Sequence, residues 1–147
     1  MSRQLEGRVA VVTGAGRGIG RATAVALARE GADVACVART ASQLAETAAL
    51  VRAAGRRAGQ IEADIGEPGA PSFIAAKVLA ELDTVDILVN HAATVEPAGP
   101  TAAAGPEDWA RAVAVNLTGP VPGKRGQPGI EGSVARTRRV GGAFGRR

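Results

Sequence analysis

Val9-Ala10-Val11-Val12-Thr13-Gly14-Ala15-Gly16-Arg17-Gly18-Ile19-Gly20 is the stretch whose reading decides the fold. An apolar run with β-branched residues stops at a cluster of glycines, and a segment rich in alanine and leucine, Ile19 to Glu30, follows. The run reads as a buried strand, because it lacks the polar alternation of a half-exposed one. The following segment reads as a helix, with Ala22, Val25, Ala26 and Arg29 at helical spacing and Gly31 as its stop. Glycines are needed between the two because the backbone must turn sharply and lie close to a ligand, where a Cβ would collide. A helix opening from such a turn aims its free N–H groups and positive dipole end at one point, which suits a phosphate. Strand, glycine turn and helix together point to nucleotide binding.

Outward from this unit the pattern repeats. Ala32 to Ala38 reads as a second buried strand and Ala41 to Ala54 as an amphipathic helix, with Leu44, Ala48 and Val51 on its inner face. Gln60 to Ala63 is a short third strand. Ser72 to Leu82 is a helix with Phe73, Ala76, Val78, Leu79 and Leu82 inside, and Val85 to Val89 is a fourth strand. A proline- and glycine-containing loop, Glu96 to Gly105, leads into a helix over Pro106 to Leu117. Pro106 suits the first turn, Glu107 and Asp108 face the positive end, and Trp109 is read as a packing anchor. Alternating strands and helices imply a parallel sheet covered on both faces. The expected class is α/β, a Rossmann-type doubly wound parallel sheet of about four strands with flanking helices, truncated, and followed by an irregular tail.

The charge balance marks the same division. Residues 1–119 hold 11 lysines and arginines against 13 aspartates and glutamates, whereas residues 120–147 hold 7 against 1. We therefore expect a partial nucleotide-binding domain over 1–119 and a glycine-, arginine- and proline-rich tail over 120–147. The lone Cys36 excludes an intrachain disulfide and a cysteine-rich metal site, and its apolar neighbours read it as a buried structural thiol. No metal site is expected. The first residues carry charges without an apolar signal core, and no run is long enough to span a bilayer, so a cytoplasmic protein is expected.

The spacing Thr13-Gly14-x-x-x-Gly18-x-Gly20 resembles the cofactor loop of short-chain dehydrogenases/reductases. The resemblance covers residues 1–120. It implies that Thr13, Gly14, Gly16, Arg17, Gly18 and Gly20 form the cofactor loop, with Ile19 touching the cofactor from the helix start. Members that prefer NAD(H) commonly end the second strand with an acidic residue. Here that end reads Val37-Ala38-Arg39-Thr40, so NADP(H) is favoured, with Arg39 and Arg17 as partners of the 2′-phosphate. Asp64 would bind the adenine ring, with Ile65 flanking it. Asn90-His91-Ala92-Ala93 resembles the family's Asn-Asn-Ala-Gly element, which places Asn90 and Ala92 beside the ribose. His91, the only histidine, receives no catalytic role. Asn116, in Asn116-Leu117-Thr118-Gly119-Pro120, matches the asparagine that supports the family's proton relay and is the one retained member of the catalytic set.

The family's reaction moves a hydride between nicotinamide and a carbonyl or alcohol carbon, using a serine and a tyrosine–lysine pair four residues apart. This chain contains no tyrosine. Lys77 stands in an earlier helix, and Lys124 and Ser133 have no tyrosine partner. The expectation is a truncated oxidoreductase, inactive alone, with a small-molecule substrate only in the full-length family and without the usual family oligomer. The alternative is a non-catalytic NADP(H)-binding or partner-binding module. A nucleic-acid binder using Arg136, Arg138, Arg139, Arg146 and Arg147 ranks last, because Phe144 is the tail's one aromatic. The text changes abruptly at Val121-Pro122, whose codons read one base later can spell Phe-Leu, so a frameshift near codon 120 is expected.

Overall fold

The computed structural model describes residues 3–94 and 103–118. Strands β1 (Val9–Thr13), β2 (Asp33–Ala38), β3 (Ala58–Glu62) and β4 (Ile87–Val89) form one parallel sheet in the order β3-β2-β1-β4. Val9 pairs with Asp33 and Val12 with Cys36 across β1 and β2, and Ala10 pairs with Ile87 on the other side of β1. Helices α1 (Gly18–Arg29), α2 (Ala41–Ala53) and α3 (Ala70–Leu82) connect the strands, and α4 (Pro106–Val113) follows β4.

Because side chains alternate along a strand, the central strands feed two cores. Ala10, Val12, Val34 and Cys36 point toward α1 and α2, where they meet Ala24, Ala28, Leu44 and Val51. Val9, Val11, Ala35 and Val37 point the other way, onto Ile74, Val78 and Leu82 of α3. Burial pushes the Cys36 thiol up to about 11, only weakly offset by the Arg52 charge, as befits an inert packing group. Asp33 anchors the lower end of β2. Its carboxylate receives the Arg57 backbone amide at 3.0 Å, the Arg57 Nε at 2.7 Å and the Arg56 Nε at 3.0 Å.

Several expected boundaries and faces shift. β3 starts at Ala58 rather than Gln60, since Ala58 and Gly59 pair with Val34 and Ala35. α3 starts at Ala70, because Pro71 is tolerated in a first turn that needs no donor. Its inner face is Ala70, Ile74, Ala75, Val78 and Leu82, four of these being four apart. Phe73 and Ala76 are exposed, contrary to the expected interior, and Lys77 Nζ lies 5.9 Å from the Phe73 ring centroid. α1 buries Gly20, Ala24 and Ala28, while Ala22, Ala26 and Arg29 are exposed. β4 is shorter than expected, starting at Ile87. The expected helix over 106–117 changes at Ala114 into a wide π-type turn, Ala114–Thr118. Trp109 is half exposed, and α4 buries none of its residues, so Trp109 is not the packing anchor expected. Residues 95–102 and the tail from Pro120 lie outside the described residues. No helix among the described residues is long and apolar enough to cross a membrane, and they contain no cluster suited to a metal ion.

Candidate functional site

A cleft of about 700 Å³ opens at the carboxyl ends of the strands. Its position follows from topology. β1 lies between β2 and β4, with α1 and α2 packed on one face of the sheet and α3, which leads into β4, on the other, so a crevice is left where the connections diverge. The glycine loop forms one wall. Gly14 has φ +69°, and a Cβ there would stand 3.0 Å from the Ala92 backbone. Gly20 is tighter still, since a Cβ would fall 2.0 Å from the Gly14 carbonyl oxygen. The helix start thus sits directly on the loop, at a distance only glycine permits.

Thr13 ties this wall to the opposite one. It is buried at the end of β1, and its hydroxyl oxygen accepts the His91 and Ala92 amides, both at 3.0 Å. The segment after β4 is thereby pinned against the glycine loop, with the His91 ring against the backs of Gly14 and Gly20. Ala92 lines the cleft, whereas Asn90 is exposed and stands outside its wall. Gly20 likewise supports the loop from beneath rather than lining the cleft.

Arg17 and Arg39 both line the cleft with exposed side chains, the second beside Thr40 at the end of β2. On the far wall, Asp64 and Ile65 follow β3. The Asp64 carboxylate accepts the Gly66 amide at 2.9 Å and pairs with the Arg111 guanidinium from α4. Burial alone would raise the Asp64 carboxyl. Hydrogen bonds from Arg111 and Gly66, with the charges of Arg111 and Arg39, outweigh it and hold the group below its ordinary value. Asn116 lies in the π-type turn, where its side chain accepts the Thr94 amide at 2.7 Å and donates to the Thr94 carbonyl at 2.8 Å. It therefore fixes the segment after β4 but does not line the cleft.

The sequence reading missed several neighbours. Gln43 reaches the cleft from the first turn of α2, and Val115 closes it from the π-type turn. Gln43 stands three residues after Thr40, a helical offset that could have placed it over the end of β2. Nothing in the sequence marked Val115, because a regular helix would have turned it elsewhere.

Residues 8–126 match the family described as short chain dehydrogenase. The chain belongs to that family. Among curated relatives, 2,3-dihydro-2,3-dihydroxybenzoate dehydrogenase of Bacillus subtilis is 36% identical over 118 residues, which is 80% of this chain and 45% of that enzyme. A metagenomic short-chain oxidoreductase solved in complex with NADP is 40% identical, with a TM-score of 0.74, over 79% of this chain and 52% of that one. L-sorbose reductase from Gluconobacter frateurii, solved with NADPH and L-sorbose, is 32% identical, with a TM-score of 0.80, over 90% of this chain and 51% of that one. The chain thus spans about half the length of these short-chain dehydrogenases, and the matched half is the doubly wound sheet with its cleft.

Proposed function

We propose that this chain is the cofactor-binding part of an NADP(H)-dependent short-chain dehydrogenase. The observation that carries the cofactor choice is the pair Arg17 and Arg39 on one wall of the cleft, at a strand end that offers no carboxylate. Guanidinium groups there suit a 2′-phosphate, and an acidic residue would repel it. The glycine loop suits a dinucleotide because a Cβ at Gly14 would press on the Ala92 backbone and one at Gly20 would push the Gly14 carbonyl out of place, so only glycine keeps the loop in this shape. Gly14, Gly16 and Gly18, with Ile19, would receive the pyrophosphate. Asp64 and Ile65 would flank the adenine, and Ala92, with Asn90 nearby, the ribose. NADP(H) would supply the hydride exchanged with a carbonyl or alcohol carbon, so the small-molecule partner belongs to that class. Relatives solved with NADP and NADPH support this reading.

Proton transfer is assigned to no residue of this chain, which contains no tyrosine. Asn116 is the one member of the family's catalytic set that the sequence supplies, and it holds Thr94. The 147-residue chain is therefore proposed to bind NADP(H) without turnover, either as an inactive oxidoreductase segment or as a non-catalytic binding module. Calorimetric titration tests this. NADPH should bind more tightly than NADH, and Arg39→Asp should reverse the order, costing NADPH about tenfold or more in affinity. Equal affinity for both cofactors in the unaltered chain would refute the choice, and steady reduction of a ketone by the chain alone would refute the inactivity.

A further inference from the structure

Two side chains outside the cleft wall grip the glycine loop from behind. Thr47, on α2, is fully buried, and its hydroxyl lies 2.8 Å from the Ala15 carbonyl oxygen. A hydroxyl has one hydrogen, and this contact claims it over the 3.1 Å approach to the Gln43 carbonyl. Arg21, on α1, brings Nε to 3.1 Å and Nη2 to 2.5 Å from the Gly16 carbonyl oxygen. The same Nε stands 3.1 Å from the Thr47 oxygen, so the two side chains are joined. Arg21 also pairs with Glu46 at 2.9 Å. Its positive charge is thereby balanced, and its effect on the loop is mainly geometric.

A trans peptide points its C=O and N–H in opposite directions. Holding the carbonyls of Ala15 and Gly16 toward α2 therefore turns the N–H groups of Gly16 and Arg17 away from α2, and both residues line the cleft. Glycine-rich backbone is otherwise free to rotate these peptides and present an oxygen to an anion. Thr47 sits on the helix face of Leu44, Ala48 and Val51, where valine would pack as well but would leave the Ala15 carbonyl without its donor.

We infer that Thr47 and Arg21 are positioning residues for phosphate recognition, presetting the amides of Gly16 and Arg17 and keeping the Ala15 and Gly16 carbonyls off the pyrophosphate. This rests on the nucleotide reading above. Preset dipoles bind without an ordering cost at the moment of association. The effect should therefore appear with ligands that carry a pyrophosphate and not with those that lack one.

The test titrates the full chain, Thr47→Val, Thr47→Ser and Arg21→Lys with NADPH and with adenosine 2′-monophosphate, alongside thermal melts. Thr47→Val should lose about tenfold in NADPH affinity, hold adenosine 2′-monophosphate within about twofold, and regain NADPH affinity as Thr47→Ser. Arg21→Lys keeps the charge, loses the fork and should show the same selective loss. A Thr47→Val chain that binds NADPH like the unaltered one, or weakens for both ligands by the same factor, overturns the inference. If Thr47→Val does not fold, Arg21→Lys decides alone, and unchanged NADPH affinity overturns it. An unaltered chain that binds neither ligand overturns the nucleotide reading and this inference with it.

Discussion

Thr13 has the shape of valine plus one hydroxyl, and that hydroxyl oxygen takes two amides at 3.0 Å. Thr13→Val keeps the packing and strands both donors in a part-buried site. It should cost about 2 kcal/mol of stability, read from denaturant unfolding, and loosen the segment after β4. Asp33 makes an acid-dependent contribution. Burial works to raise its carboxyl, but the Arg57 side-chain and backbone hydrogen bonds and the charges of Arg56 and Arg57 hold it below the ordinary 3.8. Its stabilisation is therefore fully present above that value and is lost as pH falls through the lowered folded value. A stability curve across the acid range should show this loss. Asp33→Asn should flatten the acid limb while lowering neutral-pH stability by about 2 kcal/mol.

At the level of elements, the glycine loop and α1 act as one piece. Gly20→Ala would force the Gly14 carbonyl to move, since a Cβ falls 2.0 Å from it. The variant should lose NADPH affinity by about tenfold or more, whereas Gly55→Ala, strained only by its φ of +79° with open space around it, should cost about 1 kcal/mol and leave affinity alone. Paired titrations and melts of the two variants check this. The same elements show what could be read in advance. β1, the loop and the inner face of α2 were legible because Leu44, Ala48 and Val51 stand among polar residues. The face of α1 was not, because alanine recurs at 22, 24, 26 and 28 and so falls on every side of the helix, leaving little contrast between its faces. Phe73 misled for another reason, as its bulk suggested burial while the face already held Ala70, Ile74 and Val78 in a four-residue stripe. The clamp of Arg21 and Thr47 joins residues 26 positions apart and left no local sign.

For the whole molecule, β4 pairs only with β1 among the described residues, and Leu88 on it is exposed, as are Trp109 and Val113 on α4. Open apolar edges favour association with further chain. The 147-residue chain purified alone should melt broadly and self-associate with rising concentration. A sharp cooperative melt from a monomer would contradict that. The change of character after Gly119 belongs to the same scale. Resequencing the gene from codon 110 onward should reveal a frame with a serine and a Tyr-x-x-x-Lys pair. A frame that stands as given would end the frameshift explanation.

Trp109 is the chain's one tryptophan, and there is no tyrosine beside it. It stands half exposed on α4, two residues before the arginine that holds Asp64. The near-ultraviolet fluorescence of this protein consequently originates from a single indole on the helix whose Arg111 pairs with the cleft-lining Asp64. Reduced nicotinamide absorbs where an exposed indole emits, so cofactor arrival should dim that emission by energy transfer. A stopped-flow trace could then time the event with no label attached.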